Sequence, residues 1–350
     1  MEEAVASTQS EGPDLGFPLG GWLGTVDYDG RFRFGCFPHL LIYLHQSRQW
    51  IEVGGDWLST QRRAALPTPS QGFGRWEQSM TSEEFEARVQ KAQRRIAAGE
   101  IYQVNLAHRF RCPIQENDLS ELYERLRASS PAPMSAYLKQ KDREILSSSP
   151  ELFLRFSGSA VETRPIKGTR PRFADSKADL LSAHELQHSE KELAELIMIT
   201  DLLRNDLGQV CEIGGVKVDA LAQLESLSQV HHLVSTISGT LASDVSQVEA
   251  LARAWPGGSI TGAPKLKAKE VIAELETVSR GLYTGSIGYF GFNEESQFNI
   301  VIRSLVREEG YLSYHVGAGI VADSNPQQEY QETLDKARGI QIALAGLMEN

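Results

Sequence analysis

The stretch 281–323, "GLYTGSIGYFGFNEESQFNIVIRSLVREEGYLSYHVGAGIVAD", decides the fold class. Its runs "GLYTGSIGYFGF" and "FNIVIRSLVRE" alternate like the strands of hairpins, and "YLSYHVGAGIVAD" follows in the same style. Period two means two different faces, one for a core and one for something else. Upstream, "IYQVNLAHRF" (101–110) alternates as well. Tyr102, Val104 and Leu106 are expected on one face, and Gln103, Asn105 and Ala107 on the other.

Helical signals stand between these runs. In "TSEEFEARVQKAQRRIAAGE" (81–100), Thr81 and Glu84 make a capping box and Gly99 a stop. Phe85, Val89, Ala92 and Ile96 form one apolar stripe. "HELQHSEKELAELIMITDLLRNDLG" (184–208) reads as one long helix, and "APKLKAKEVIAELE" (263–276) as another with Pro264 near its first turn. The last helix opens at "NPQQ", with Asn325 as cap and Pro326 in the first helical position. Interleaved helices and paired strands give an α+β class, with large, mainly antiparallel sheets flanked by helices.

The chain has 350 residues and a formal net charge of −11, which speaks against a general nucleic-acid binder. No apolar run is long enough to span a membrane. The acidic start does not read as a secretory signal. Cys36, Cys112 and Cys211 form no metal or redox motif, so a reducing, cytoplasmic setting is expected. Residues 1–14 are expected to be a loose tail, and 59–82 has the composition of a linker. A short section, 1–75, should dock on a main domain, 76–350.

Several residues invite chemistry. Glu192 and Glu195 share a helix face, as do Glu329 and Glu332. Each pair alone reads as solvated surface; two pairs meeting round one cation would suit magnesium better than zinc. "WPGGSITGAPKLKAKE" (255–270) is a glycine-rich entry to a helix, an anion site or a plain loop, and lacks the P-loop pattern. Gly317 and Gly319 allow close approach of a ligand or a strand. Arg303 inside an apolar strand needs an anionic partner. Of His231 and His232, one should point in and one out. In "TRPIKGTR" (163–170), Lys167 stands in a turn among Arg164, Arg170 and Arg172. Such neighbours disfavour its protonated form, which suits a nucleophilic amine. Glu151 is placed to face it across a hairpin as a proton donor.

Eight ordered stretches resemble the chorismate-utilising enzymes: "GEIYQVNLAHRF", "SSSPELF", "RPIKGTR", "ITDLLRNDLGQV", "PGGSITGAPKLKA", "LYTGSIGYF", "IVIRSL" and "GAGIVADSNPQQEYQETLDKA". The resemblance covers residue 76 to the end and implies a fold of the anthranilate synthase component I type. It implies Mg2+ held by Glu195 and Glu332, with Glu192 and Glu329 in support, on the ring carboxylate of chorismate. Gly168, Thr169 and the Gly262 loop would assist. Tyr283, Arg303 and the backbone at Gly317 would hold the enolpyruvyl carboxylate, and His232 matches the family's active-site histidine.

Two positions discriminate within the family. Members that add water at ring carbon 2 resemble one another in a lysine base where this chain has Gln103, so that chemistry is disfavoured. Anthranilate-forming members typically read Pro-Ile-Ala-Gly-Thr where this chain has Lys167. The expected reaction is amination at ring carbon 4, giving 4-amino-4-deoxychorismate through a covalent Lys167 intermediate with Glu151 as general acid. The alternatives are anthranilate formation and a non-catalytic homologue that binds chorismate or a glutaminase. No glutaminase nucleophile motif is found, so a separate glutamine amidotransferase subunit is expected to supply ammonia. The segment that forms a tryptophan site in longer members is not found either, and tryptophan control is not expected.

Overall fold

The alternation after residue 101 becomes the strand Gln103–Pro113, paired along its length with Tyr311–Ile320. The computed structural model describes residues 1–9, 15–55, 73–115, 118–227 and 230–345. Among them a nine-stranded sheet faces a seven-stranded sheet, and a separate hairpin joins Leu40–Leu44 to Gln49–Val53. The pairings within both sheets are antiparallel.

Helices cover each sheet because the apolar face of every strand needs a partner layer. In the nine-stranded sheet Phe153, Phe156, Phe290 and Phe298 share a core with Ile199, Leu203 and Leu207 of the helix Glu190–Gly208. In the other sheet Val104, Leu106 and Ala318 pack with Phe85, Val89 and Ala92 of Ser82–Ala97 and with Val271 and Ile272 of Lys265–Leu275. Further along, Phe110, Leu312 and Tyr314 pack with Leu122 and Leu126 of Ser120–Ser129 and Ile340 of Pro326–Ala345. The capping box of Thr81 and Glu84 forms as expected. Asn325 accepts the N–H groups of Gln327 and Gln328.

Two segments cross from one sheet to the other side by side. Arg143–Ser149 continues into Leu152–Ser157, and Glu295–Asn299 into Ser304–Glu308. They pair on both sides of the crossing, Ser147 opposite Ser304 and Leu152 opposite Asn299. In between, the Ile300 N–H donates to the Glu151 carbonyl at 3.1 Å. "FNIVIRSLVRE" is therefore not one strand. It changes sheets, and Arg303 sits in the joint with φ +51, a left-handed backbone that a regular strand does not contain.

Other expectations are corrected locally. Tyr102 does not share the buried face of Val104; it precedes the strand and is exposed. The long helix of 184–208 is two helices, Ser176–Gln187 and Glu190–Gly208, because Ser189 caps the second by accepting the Glu192 N–H. Lys167 is not in a turn. Ala160–Arg164 and Ile166–Pro171 pair with Val230–Thr240 in one continuing register, broken by a bulge between Lys167 and Thr169.

The N-terminal section joins the rest as part of a sheet. Gly21–Val26 pairs with Ser286–Gly291 on one side and with Phe32–Phe37 on the other. Residues expected to be loose include the helix Glu2–Ala6, whose Val5 is buried in the core of the nine-stranded sheet. Residues 10–14 and most of the expected linker, 59–72, lie outside the described residues. Behind the strands, Arg143 holds Asp27 at 2.7 Å, and both side chains are buried. Arg143 also holds Glu308 at 3.0 Å, so removing Asp27 takes away the buried one of its two carboxylates. Asp27→Ala is expected to lower the unfolding free energy by about 1–3 kcal/mol in urea denaturation. A wild-type midpoint and slope would contradict this anchoring of the N-terminal strands.

Candidate active site

Between the two sheets lies a cavity of about 630 Å³. Its wall carries Glu151, Lys167, Gly168, Thr169, Glu192, Glu195, His232, Tyr283, Arg303, Gly317 and Glu332. Of the sequence-derived candidates, Glu329 and Gly262 are not on it. Glu329 is buried close to Glu332 on the same helix. Gly262 serves the scaffold: at φ +139 it pairs with Val104, and a Cβ there would lie 2.2 Å from the Gln103 carbonyl. Ser259 and Ile260 of that loop line the cavity instead.

Lys167 is fixed by strand pairing opposite Leu233, and the next residue makes the bulge. Gly168 has φ +68, and a Cβ there would lie 2.6 Å from Leu186 and 3.3 Å from Glu192 Oε2. Only glycine lets this backbone reach both the left-handed region and the acidic helix. The arginines have other work. Arg164 pairs with Glu225, Arg172 with Asp179, and Arg170 donates to the Thr169 carbonyl. The ion-pair partner of Lys167 is an anion, Glu195 Oε2, at 3.7 Å. The expected cationic cage does not form, because those guanidinium groups find carboxylates and carbonyls elsewhere.

His232 sits opposite Thr169. Its Nδ1 lies 3.0 Å from the Gly168 carbonyl, which can only accept, so Nδ1 carries the proton. Burial then keeps the ring neutral, and Nε2 is left as a buried lone pair without a partner. His231 does not point to solvent. It is buried too, between Asp179 and Ser226, because the helix Ser176–Gln187 covers that face.

Glu151 and Arg303 come together through the sheet crossing. Burial raises the Glu151 pKa, against the Ser259 hydroxyl hydrogen bond and the charges of Lys167 and Arg303. A carboxyl that keeps its proton is a competent acid at neutral pH. Burial lowers the Arg303 pKa and the Glu151 charge opposes this, so each is the other's electrostatic support.

Glu192, Glu195 and Glu332 share one wall, with Glu329 buried close behind Glu332. Burial raises Glu192, with the Glu195 charge adding to it, and burial raises Glu329 against a hydrogen bond from Ser324. At Glu332 burial pulls the pKa up, but Lys336 at 2.7 Å together with Lys191 and Lys167 outweighs it and the net shift is down. Three lysines meet these acids: Lys167 at Glu195, Lys191 at Glu329 (3.8 Å) and Lys336 at Glu332. Among the described residues no three His, Cys, Asp or Glu side chains form a ready metal cage. Glu329 Oε2 nevertheless is buried without a hydrogen-bond partner.

Arg280, fully buried, braces the opposite wall. It pairs with Glu276 and donates to the carbonyls of Ile260 and Asn105. Its guanidinium lies over the ring of Tyr28 and 5.8 Å from that of Tyr283. Tyr283 in turn stacks on His315 at 5.1 Å. One cation thus ties the N-terminal section, the Ser259 loop, the strand Gln103–Pro113 and Tyr283 into a fixed frame.

A family model described as chorismate binding enzyme matches residues 24–341. The chain belongs to the chorismate-binding enzyme family. Among curated relatives it is 40% identical to aminodeoxychorismate synthase component 1 of Salmonella typhimurium, over 97% of this chain and 79% of that protein. It is 42% identical to anthranilate synthase component 1 of Streptomyces coelicolor, over 81% of this chain and 56% of that one. Among solved structures, anthranilate synthase component I from Streptococcus pneumoniae superposes with a TM-score of 0.84 at 26% identity, covering 97% of this chain and 84% of that one. The family match begins within the strand Gly21–Val26, in keeping with an N-terminal section built into the sheet.

Sequence reasoning missed several wall residues of this chorismate-binding chain: Asn105, Lys191, Ser259, His315 and Lys336. Lys336 was legible, four residues after Glu332 on one helix face. The others face the cavity only because of the folded path. Gly317 is closely packed on three sides: a Cβ there would lie 2.8 Å from Asn105 Oδ1 and 2.9 Å from both the Leu106 carbonyl and Tyr283 Oη. Gly317→Ala is expected to raise the apparent KM for chorismate about tenfold or more, with folding checked by circular dichroism. An unchanged KM would remove Gly317 from the binding wall.

Proposed function

We propose that this chain is the chorismate-aminating component of an aminodeoxychorismate synthase, acting in 4-aminobenzoate and folate biosynthesis. The observation that carries the reading is Lys167, an amine on the cavity wall in a site that also holds the buried carboxyl of Glu151. The Lys167 Nζ forms a bond to ring carbon 2 as the ring electrons shift and the bond from carbon 4 to its hydroxyl breaks. Glu151 gives its proton to the departing oxygen, which leaves as water. Ammonia then bonds to carbon 4, the electrons shift back, and the bond from carbon 2 to Lys167 breaks. The proton in excess on the new amine passes to the Glu151 carboxylate, which restores the acid. Splitting the substitution in two lets the amine replace the hydroxyl with retention.

The acidic wall fits magnesium, a hard cation that prefers carboxylate oxygen. Glu195 and Glu332 would hold it, supported by Glu192 and Glu329. When bound, it would supply charge stabilisation at the ring carboxylate. Arg303, Tyr283 and Lys336 are the groups suited to the enolpyruvyl carboxylate, and His232 to steering the ring. Ammonia would come from a separate glutamine amidotransferase subunit. Free cysteines at 36, 112 and 211, and the absence of a membrane-crossing helix among the described residues, support a cytoplasmic setting.

A second reading, anthranilate formation, is favoured by the Streptomyces relative at 42% identity. Incubation with chorismate, magnesium and ammonium separates the two. The product is expected to be 4-amino-4-deoxychorismate; anthranilate as the main product would sink the first reading, and no turnover would favour a binding-only role. Lys167→Ala is expected to lose most of this product, about 100-fold, and to leak toward anthranilate. A wild-type rate and product would take lysine out of the mechanism. Glu332→Gln is expected to raise the magnesium concentration needed for half-maximal activity, whereas wild-type dependence would refute the ligand assignment.

A further inference from the structure

On the cavity wall below Tyr283, the side-chain amide oxygen of Asn105, Oδ1, is buried and accepts no hydrogen bond. Its position is not accidental slack. The Asn105 N–H donates to the Thr261 carbonyl at 2.8 Å, and its own carbonyl accepts from Arg280 at 2.9 Å. The backbone is therefore locked on both sides, and the side chain reaches over Gly317. Asn105 Oδ1 and Tyr283 Oη both lie within 3 Å of the point where a Gly317 Cβ would stand (2.8 and 2.9 Å). A buried acceptor without a donor costs about 1–3 kcal/mol, so such a group in a locked frame implies a ligand donor.

The layout says where on the substrate that donor lies. If chorismate sits as the proposed function requires, its ring carboxylate faces the four glutamates and its enolpyruvyl group faces Tyr283, Arg303 and Gly317. The enolpyruvyl oxygen is on ring carbon 3, so the wall beside Gly317 faces carbons 3 and 4. Lys167 lies further along the same wall: its Nζ is 3.7 Å from where a Gly319 Cβ would stand, beside carbon 2. Two neighbouring glycines of one strand thus lie under two amides, Gly319 under Gln103 with Lys167 beside it and Gly317 under Asn105.

We propose that Asn105 is an ammonia-binding residue, whose side-chain amide oxygen accepts an N–H of the incoming ammonia and turns its lone pair toward ring carbon 4. Ammonia has three N–H donors and one lone pair, and an acceptor behind it leaves the lone pair free for the new carbon–nitrogen bond. The rest of the step is the one given above: carbon 4 gains nitrogen, carbon 2 releases Lys167, and Glu151 takes the proton. The assignment rests on the amination reading and adds to it the place of the second substrate.

The test uses the full chain with chorismate, magnesium and ammonium chloride, with no glutaminase present. Wild type is measured first; failure to aminate chorismate defeats the proposed function itself and is distinguishable from failure of the subsite. Given amination, Asn105→Ala is expected to raise the apparent KM for ammonium about tenfold, the loss of one hydrogen bond, with the chorismate KM near wild type. Asn105→Asp keeps an acceptor whichever way the amide is turned, and is expected to hold the ammonium KM within about twofold to threefold. An unchanged ammonium KM in Asn105→Ala overturns the proposal. So does a raised chorismate KM with unchanged ammonium KM, which would assign the oxygen to the carbon 4 hydroxyl instead.

Discussion

The hydrogen bond from the Ile300 N–H to the Glu151 carbonyl holds together the point on which the site depends. Two segments leave one sheet and enter the other side by side, and they can do so only if their backbones stay paired through the change. The crossing places Glu151 on one segment and Arg303 on the other at the meeting of the sheets. Each is a buried ionisable group whose charged form would be expensive alone. Together they lower one another's cost and put a carboxyl and a guanidinium on the same wall. The strain at Arg303, φ +51, belongs to the same joint.

The second constraint is charge balance on the wall opposite. Four glutamates from two helices converge, and three lysines answer them. That arrangement changes the meaning of Lys167. Its neighbours in sequence are arginines, yet its ion-pair partner in space is Glu195. The lysine is held by an acid of that cluster, so in the proposed reaction its freedom would depend on how those acids are engaged. Helix Glu190–Gly208 and helix Pro326–Ala345 matter to the chemistry for this reason, beyond the cores that they cover.

Much of this was legible because period and capping are local. The alternation of 101–110 and 311–320, the Thr81 capping box and the Asn325 cap each depend on residues within one element. The face-sharing of Glu192 with Glu195, and of Glu329 with Glu332, follows from helical spacing. What stayed hidden depends on the path of the chain in space. "FNIVIRSLVRE" reads as one strand because period two does not record a change of sheet. Ser189 was overlooked as a cap inside a run of helix-forming residues. The arginines around Lys167 looked like its neighbours because sequence shows proximity along the chain and not the carboxylates that engage them. Asn105 and His315 carry no motif of their own; the glycine strand and locked backbone reveal the first, and the stack on Tyr283 the second.

The central claim is that Lys167 becomes covalently attached to the ring. The most direct measurement is the mass of the peptide carrying residues 163–170 after the chain is incubated with chorismate and magnesium without ammonia, quenched and digested. The account predicts a mass increase equal to chorismate less one water, located on Lys167 and absent in Lys167→Ala. An unmodified Lys167 peptide, from protein that goes on to form aminodeoxychorismate when ammonium is added, would contradict it.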